Sequence, residues 1–234
     1  AVDCMLLFIA PEQGLRGGFS DLGITRAGLP AWPLAITAPV LIHAASLLIL
    51  VAAGLTQLDS GQASQPLVTA ILNCALSFAV GALFALTEEV GWRGYLQPRL
   101  MEFGAVAAML LTGFLHGVWH LPLMLTTNLY HSTGNTWIVT PMFLLAVTLA
   151  GVFFGYLRLV TDSVWPVAFA HGATNLAWGI TRDLSATKSA LALEYVGGES
   201  GLVMIVGLLL FDAVLIGKMR SNVAATTATP HQDR

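Results

Sequence analysis

Residues 77–100 read SFAVGALFALTEEVGWRGYLQPRL, an apolar run that ends in two adjacent glutamates, Glu88 and Glu89. An ionisable side chain at hydrocarbon depth costs about 2.5–3.5 kcal/mol on membrane-insertion scales. Two neighbouring carboxylates also repel each other. Because the segment tolerates both the insertion penalty and the repulsion between the carboxylates, the pair indicates acid–base chemistry at this position.

The whole chain has the composition of an integral membrane protein. Of its 234 residues, 56% are hydrophobic and 10% are charged, and the mean hydropathy is +0.76. Soluble domains carry about 25% charged residues. Long apolar runs without strand-like alternation favour helices over a barrel. The sequence therefore predicts one all-α membrane domain over residues 1–234, a polytopic bundle of about six to eight transmembrane helices. The net charge of −3 gives no indication of a nucleic-acid partner.

The positions of charged and turn-forming residues divide the chain into spans. The six predicted spans are about 32–55, 67–86, 104–125, 137–157, 163–180 and 201–217. In the fourth span, Gly151 and Gly155 form a G-x-x-x-G pair that permits close helix approach. Residues 219–234 are predicted to be a disordered cytoplasmic tail, and the apolar start of the chain is predicted to be the remainder of a truncated first span.

Lysines and arginines near the span ends predict the orientation of the protein. If the segment before the first span is cytoplasmic, seven of these basic residues lie on the cytoplasmic side and two on the other. The positive-inside rule then directs Glu88, Glu89 and the C-terminus toward the cytoplasm.

Polar residues at helical spacing recur on three of the spans. Glu89 and Arg93 are four residues apart, so they share one helix face and can pair, which leaves Glu88 for another task. Two further pairs have the same spacing, His116 with His120 and His171 with Asn175.

These residue types are those of a hydrolytic site. A buried glutamate can deprotonate water, and an imidazole and an amide can donate hydrogen bonds to an oxyanion. Two histidines and a glutamate can instead hold zinc with one open position, although the H-E-x-x-H signature is absent. A proton relay or transport path is the main rival interpretation.

Three motifs carry a resemblance to a known family. They are EEVGWRGYLQPRL (88–100), GFLHGVWHLPL (113–123) and SVWPVAFAHGATNLAWG (163–179). In this order they resemble the CPBP family, the CAAX-protease and bacteriocin-processing intramembrane proteases, also called the Abi or self-immunity family. The resemblance covers about residues 77–180, the expected catalytic core.

The resemblance implies an intramembrane endopeptidase and a role for each motif residue. Glu88 would activate water with help from His120, and His171 and Asn175 would form the oxyanion hole. Glu89 and Arg93 would support the site. No cofactor is certain; if a metal such as zinc is bound, Glu88, His120 and His171 would hold it.

The chain departs from the family pattern at His116, which replaces a phenylalanine. This histidine can fill the phenylalanine site by packing or by a supporting hydrogen bond, which is the favoured interpretation. It can also add a metal ligand or a second proton carrier.

The resemblance also indicates substrates and a location. The expected substrate is a membrane-embedded or lipidated protein, either a prenylated C-a-a-X protein or a leader peptide, and the expected location is a bacterial cytoplasmic membrane, with the site open to the cytoplasm. The alternative function is that of a non-catalytic immunity or scaffold protein, or of a proton-coupled carrier.

Overall fold

The structure, a computed structural model, describes residues 14–59, 61, 66–127, 134–187 and 189–228. The predicted truncated span at the start of the chain lies outside them. The described residues contain helices and no β-strand, which confirms the predicted all-α fold. The eight α-helices are α1 (Gly14–Asp21), α2 (Trp32–Ala52), α3 (Leu67–Glu89), α4 (Gln97–Leu100), α5 (Ala105–Thr126), α6 (Thr136–Thr161), α7 (Trp165–Leu184) and α8 (Leu202–Ala228).

Five helical segments of the described chain are long and apolar enough to cross a membrane. They contain α2, α3, α5, α6 and α8. Helix α7 is less apolar because it carries the polar residues of the third motif, and it packs inside the bundle against α2, α3 and α6. The bundle therefore surrounds its most polar long helix with apolar ones.

Glycines allow α5 and α6 to cross at close range. A Cβ on Gly151 would lie 2.6 Å from the Cα of Gly113, and one on Gly155 would lie 2.3 Å from Cγ of Met109. Real Cβ atoms do not approach so closely, so only glycine fits. The close approach predicted for the G-x-x-x-G pair is confirmed, and its partner is a glycine of the second motif.

A similar contact joins α3 to α7. A Cβ on Gly172 would lie 2.8 Å from the backbone nitrogen of Ala82. Gly172 directly follows His171, and Ala82 lies about two turns before Glu89. The contact therefore fixes the distance between the first and third motifs.

The helix that carries the first motif continues past Glu89 instead of breaking. Residues Val90–Leu96 form a π-helical turn that leads into α4, and helical geometry persists to Phe103. Gly91, Gly94 and Pro98 of this segment are residue types that favour a break or a reoriented helix. The wider π turn absorbs them without ending the helix, and such turns often occur at functional sites.

The last helix extends beyond its predicted apolar span. Helix α8 continues to Ala228, past the predicted end of the span at about residue 217. Alanines in this stretch favour helix, which accounts for the difference. Residues 229–234 of the predicted tail lie outside the described part.

Candidate active site

The site is built on a buried ion pair at the end of α3. Nη1 of Arg93 donates to both carboxylate oxygens of Glu89, at 2.9 and 3.1 Å, and neither side chain is exposed. The predicted pairing of these residues is confirmed. Removing one partner of such a pair leaves an uncompensated buried charge, so the two residues stabilise each other.

His116 joins this ion pair to Glu88. Its Nδ1 lies 3.1 Å from Nη1 of Arg93, and its Nε2 lies 3.1 Å from Oε2 of Glu88. A guanidinium can only donate, so Nδ1 accepts and the ring proton is on Nε2, which donates to the carboxylate. His116 therefore makes the hydrogen bonds that the sequence left as one of several alternatives, and it also stacks on Trp92.

Glu88 is the accessible member of the glutamate pair. Its side chain is 30% exposed, whereas that of Glu89 is fully buried. The π turn after Glu89 places Arg93 within hydrogen-bond distance of the Glu89 carboxylate. Glu88 faces α5, where it contacts His116. A carboxylate that is ordered by one hydrogen bond and still open to a cavity can take a proton from water.

His120 lies one turn after His116 on α5. Its Nδ1 donates to the carbonyl oxygen of His116 at 3.0 Å, since a carbonyl can only accept. In the neutral ring Nε2 is then the nitrogen without a proton. Trp119 and Phe143 contact the ring edge-on and fix its plane.

His171 is oriented by the buried glutamate. Its Nδ1 lies 2.9 Å from Oε1 of Glu89, and its ring stacks on Phe154. The carboxylate therefore fixes the proton on Nδ1, and Nε2 gains a proton only in the imidazolium form. Glu89 contributes here as well as in the ion pair with Arg93, so this residue holds two helices in register.

One cavity of about 160 Å³ connects these groups. Asn175 lies one turn beyond His171 on α7 and lines the same cavity. The four residues predicted to be catalytic therefore line one cavity. His116 lines it too, as do two polar residues that precede α8, Glu199 and Ser200. The polar lining residues are Glu88, His116, His120, His171, Thr174, Asn175, Glu199 and Ser200.

A compact group of possible metal ligands also lies in this cavity. One ligand atom from each of Glu88, His116 and His120 lies within 4.8 Å of the others. The sequence suggested His171 as the third ligand beside Glu88 and His120. In the structure Nδ1 of His171 contacts Glu89, so only its Nε2 is left for a metal, and the predicted ligand set stays a prediction.

The sequence missed Glu199 and Ser200. Both lie in the polar connector between α7 and α8. Neither belongs to a motif or to a periodic pattern, so no signal in the sequence distinguished them from loop residues. Burial raises the pKa of Glu199 to about 7, against smaller opposite effects of the charges of His171 and Arg182.

Two tryptophans of the motifs, Trp92 and Trp119, lie beside the histidines of the site. Both contact the histidines of α5, whereas Trp165 donates its Nε1 hydrogen to the carbonyl of Ile24 away from the cavity. Two of the motif tryptophans therefore form part of the site.

Comparison with protein-family models identifies this arrangement. The family model of Rce1-like proteins, described as type II CAAX prenyl endopeptidases, matches residues 68–177, which contain all the predicted catalytic residues. Comparisons with curated proteins and with solved structures found no match. This match agrees with the family resemblance that the three motifs predicted, and it covers the segment that carries their polar residues.

Proposed function

We propose that this protein is an intramembrane endopeptidase that hydrolyses a peptide bond of a membrane-associated substrate, without a metal. The observation that carries the proposal is the convergence of Glu88, His120, His171 and Asn175 on one cavity. The match to the family model of type II CAAX prenyl endopeptidases supports the reaction type. The favoured substrate is a prenylated C-a-a-X segment, because the family description names that class.

Glu88 is the proposed general base. It accepts a proton from a water molecule in the cavity as the water oxygen attacks the carbonyl carbon of the scissile bond. The hydrogen bond from Nε2 of His116 holds the carboxylate in place during this step. His120 shares the cavity with Glu88 and orients the water through its ring nitrogen.

His171 and Asn175 are the proposed oxyanion donors. The amide N–H of Asn175 and the Nε2–H of a His171 imidazolium donate to the carbonyl oxygen as it becomes negative. Glu89 stabilises that imidazolium through its contact with Nδ1. When the C–N bond breaks, the proton held by Glu88 passes to the leaving amine, which restores the carboxylate.

The hydrogen bonds of His116 argue against this residue as a metal ligand. Two imidazoles and one carboxylate match catalytic zinc sites in number and type. However, Arg93 occupies Nδ1 of His116, so Nε2 carries the ring proton and has no lone pair to offer. A metal on His116 would require the Arg93 contact to break. If a metal is bound, Glu88 and the Nε2 atoms of His120 and His171 would hold it. The proposed steps do not require one.

Cleavage of a farnesylated C-a-a-X peptide by purified protein in detergent tests the proposal. We expect release of the last three residues, and a loss of at least about 10²-fold in rate for Glu88→Gln and for His171→Ala. Glu102→Gln is the matched control, because Glu102 is an exposed carboxylate on the same continuous helix.

Equal rates for the wild type, Glu88→Gln and His171→Ala would refute the protease function. Cleavage of a membrane-tethered leader peptide, with no cleavage of the farnesylated peptide, would keep the protease and change the substrate class.

A further inference from the structure

A glycine-rich turn between α7 and α8 closes one side of the cavity. The turn covers residues 197–201 (GGESG) and follows a π-helical turn at Leu191–Val196. Oγ of Ser46 in α2 donates to the carbonyl oxygen of Gly197 at 2.9 Å, and this bond is buried. The turn is therefore attached to the bundle and forms part of the cavity wall.

The three glycines are required by close packing. A Cβ on Gly197 would lie 2.4 Å from Cδ1 of Leu50, and one on Gly198 would lie 2.2 Å from the carbonyl oxygen of Leu193. A Cβ on Gly201 would lie 2.6 Å from the carbonyl oxygen of Val196. Because the backbone on both sides of Glu199 is fixed in this way, the position of Glu199 is also fixed.

Glu199 lines the cavity together with apolar residues of two helices. Ile42, Met204 and Leu208 line the same cavity from α2 and α8. Within the part of the chain that the structure describes, neither a hydrogen bond nor an ion pair joins the Glu199 carboxylate to another residue. His171 and Arg182 act on it only through their charges.

An ionised Glu199 carboxylate in this cavity has an unfavourable free energy unless a bound ligand supplies a positive charge. Burying a charge without a paired or hydrogen-bonded group is strongly unfavourable. The raised pKa of Glu199 reflects this cost. A lysine or arginine side chain has an apolar stem and a cationic head, and it matches an apolar wall that ends in a carboxylate.

We propose that Glu199 is a specificity residue that binds a lysine or arginine side chain of the substrate, close to the bond that is cleaved. This inference rests on the proposed endopeptidase function and extends it to a substrate class. The stem of the basic residue packs against Ile42, Met204 and Leu208, and its head pairs with the carboxylate. Glu88 remains the base, so the two carboxylates of the cavity have separate tasks.

Paired peptides test the proposal. Each pair carries lysine or norleucine at one position near the scissile bond, and the position is varied from pair to pair. Norleucine keeps the apolar stem and lacks the ammonium group. For at least one position we expect the wild type to cleave the lysine peptide about tenfold more efficiently, mainly through a lower KM.

Glu199→Gln keeps the shape of the side chain and removes its charge. This variant should cleave the lysine and norleucine peptides with a kcat/KM ratio of about one. Glu199→Asp should retain part of the preference, and Glu102→Gln should retain all of it. Because the ratio is taken within each variant, a general loss of activity cancels. A wild-type ratio of one at every position, or a preference that survives Glu199→Gln, would overturn the inference.

A binding measurement separates this inference from the proposed function. Fluorescence anisotropy of the labelled peptide pairs is recorded with Glu88→Gln and with Glu88→Gln/Glu199→Gln. Lysine-selective binding that is lost in the second protein supports the cation site even where the wild type cleaves nothing. Cleavage by the wild type with no charge selectivity refutes the cation site alone.

Discussion

At the scale of single residues, the two adjacent glutamates have different surroundings and different tasks. Glu89 is fully buried, paired with Arg93 and bonded to His171, whereas Glu88 is partly exposed and hydrogen-bonded to His116. The cost of two carboxylates in an apolar segment is offset by a guanidinium and two imidazoles. Spacing predicted the Glu89–Arg93 pair, but nothing in the sequence predicted that His171 binds the same carboxylate.

His116 is the residue whose role the sequence left most open. Phenylalanine at this position would keep the stacking on Trp92 and lose both hydrogen bonds. We expect His116→Phe to fold and to lower the rate of cleavage by about 10- to 100-fold, because a hydrogen bond to a charged group contributes about 1.5–3 kcal/mol. Kinetics with the farnesylated peptide, with and without a chelator, measure this effect.

The same variant distinguishes the metal-free mechanism from a metal mechanism. Without a metal, a chelator leaves the rates of the wild type and of His116→Phe unchanged. Complete loss of activity in His116→Phe, together with loss of wild-type activity in chelator, would contradict the assignment of the ring proton of His116 to Nε2.

At the scale of helices, small residues decide how closely the catalytic elements approach. Glycines bring α5 against α6, and Gly172 brings α7 against α3. The spans themselves followed from apolar runs and charged interruptions, and the predicted ranges agree with the helices to within a few residues, except that α8 continues well past its predicted end to Ala228. The π turn at Val90–Leu96 had no distinctive signal, because glycine and proline favour a break as much as a widened turn.

Gly172→Ala tests the contact between α3 and α7. The added methyl would meet the backbone of Ala82, which cannot move as a flexible side chain does. We expect a loss of about 1–3 kcal/mol in stability from overpacking. We also expect a larger loss of activity than of stability, because α7 would carry His171 away from Glu89. Thermal unfolding in detergent and peptide cleavage measure the two effects.

Gly179→Ala is the matched control on the same helix, since a Cβ there meets nothing within 4 Å. It should leave both stability and activity near their wild-type values. If Gly172→Ala behaves like Gly179→Ala, the close contact has no role in the site.

At the scale of the whole molecule, some of the segments that line the cavity could be predicted from the sequence and one could not. The three motifs are visible because polar residues at helical spacing stand out in apolar spans. Glu199 is not visible, because a glutamate in a polar connector is ordinary. Its position depends on the packing of a glycine turn against Leu50 and Ser46, which only the folded chain shows.

The raised pKa of Glu199 links the stability of the whole protein to pH. The unfolded chain releases this proton near the ordinary value of 4.5, whereas the folded protein holds it until about pH 7. The folded state therefore binds more protons in this window, and its stability falls as pH rises from about 4.5 to about 7. His171 and Arg182 of α7 oppose the shift, but burial outweighs them.

Glu199→Gln removes this titration. The difference in melting temperature between Glu199→Gln and the wild type should shift in favour of the variant as pH rises from about 5 to about 8. The corresponding difference for Glu102→Gln should not change. Differential scanning fluorimetry in detergent across this range gives the comparison. A difference between wild type and Glu199→Gln that stays constant with pH would show that the carboxyl titrates normally.

Helix α3 carries both glutamates, yet the protein covers little of its surface. Only 6% of its most apolar window is buried, and Ala82, Ala85 and Glu89 form its contact strip. Lipid surrounds the rest, so the thickness of the bilayer acts on the tilt of this helix through hydrophobic mismatch. A change of tilt moves Glu88 relative to the histidines of the more enclosed helices. We therefore expect bilayer thickness to alter the geometry of the proposed site through the tilt of α3.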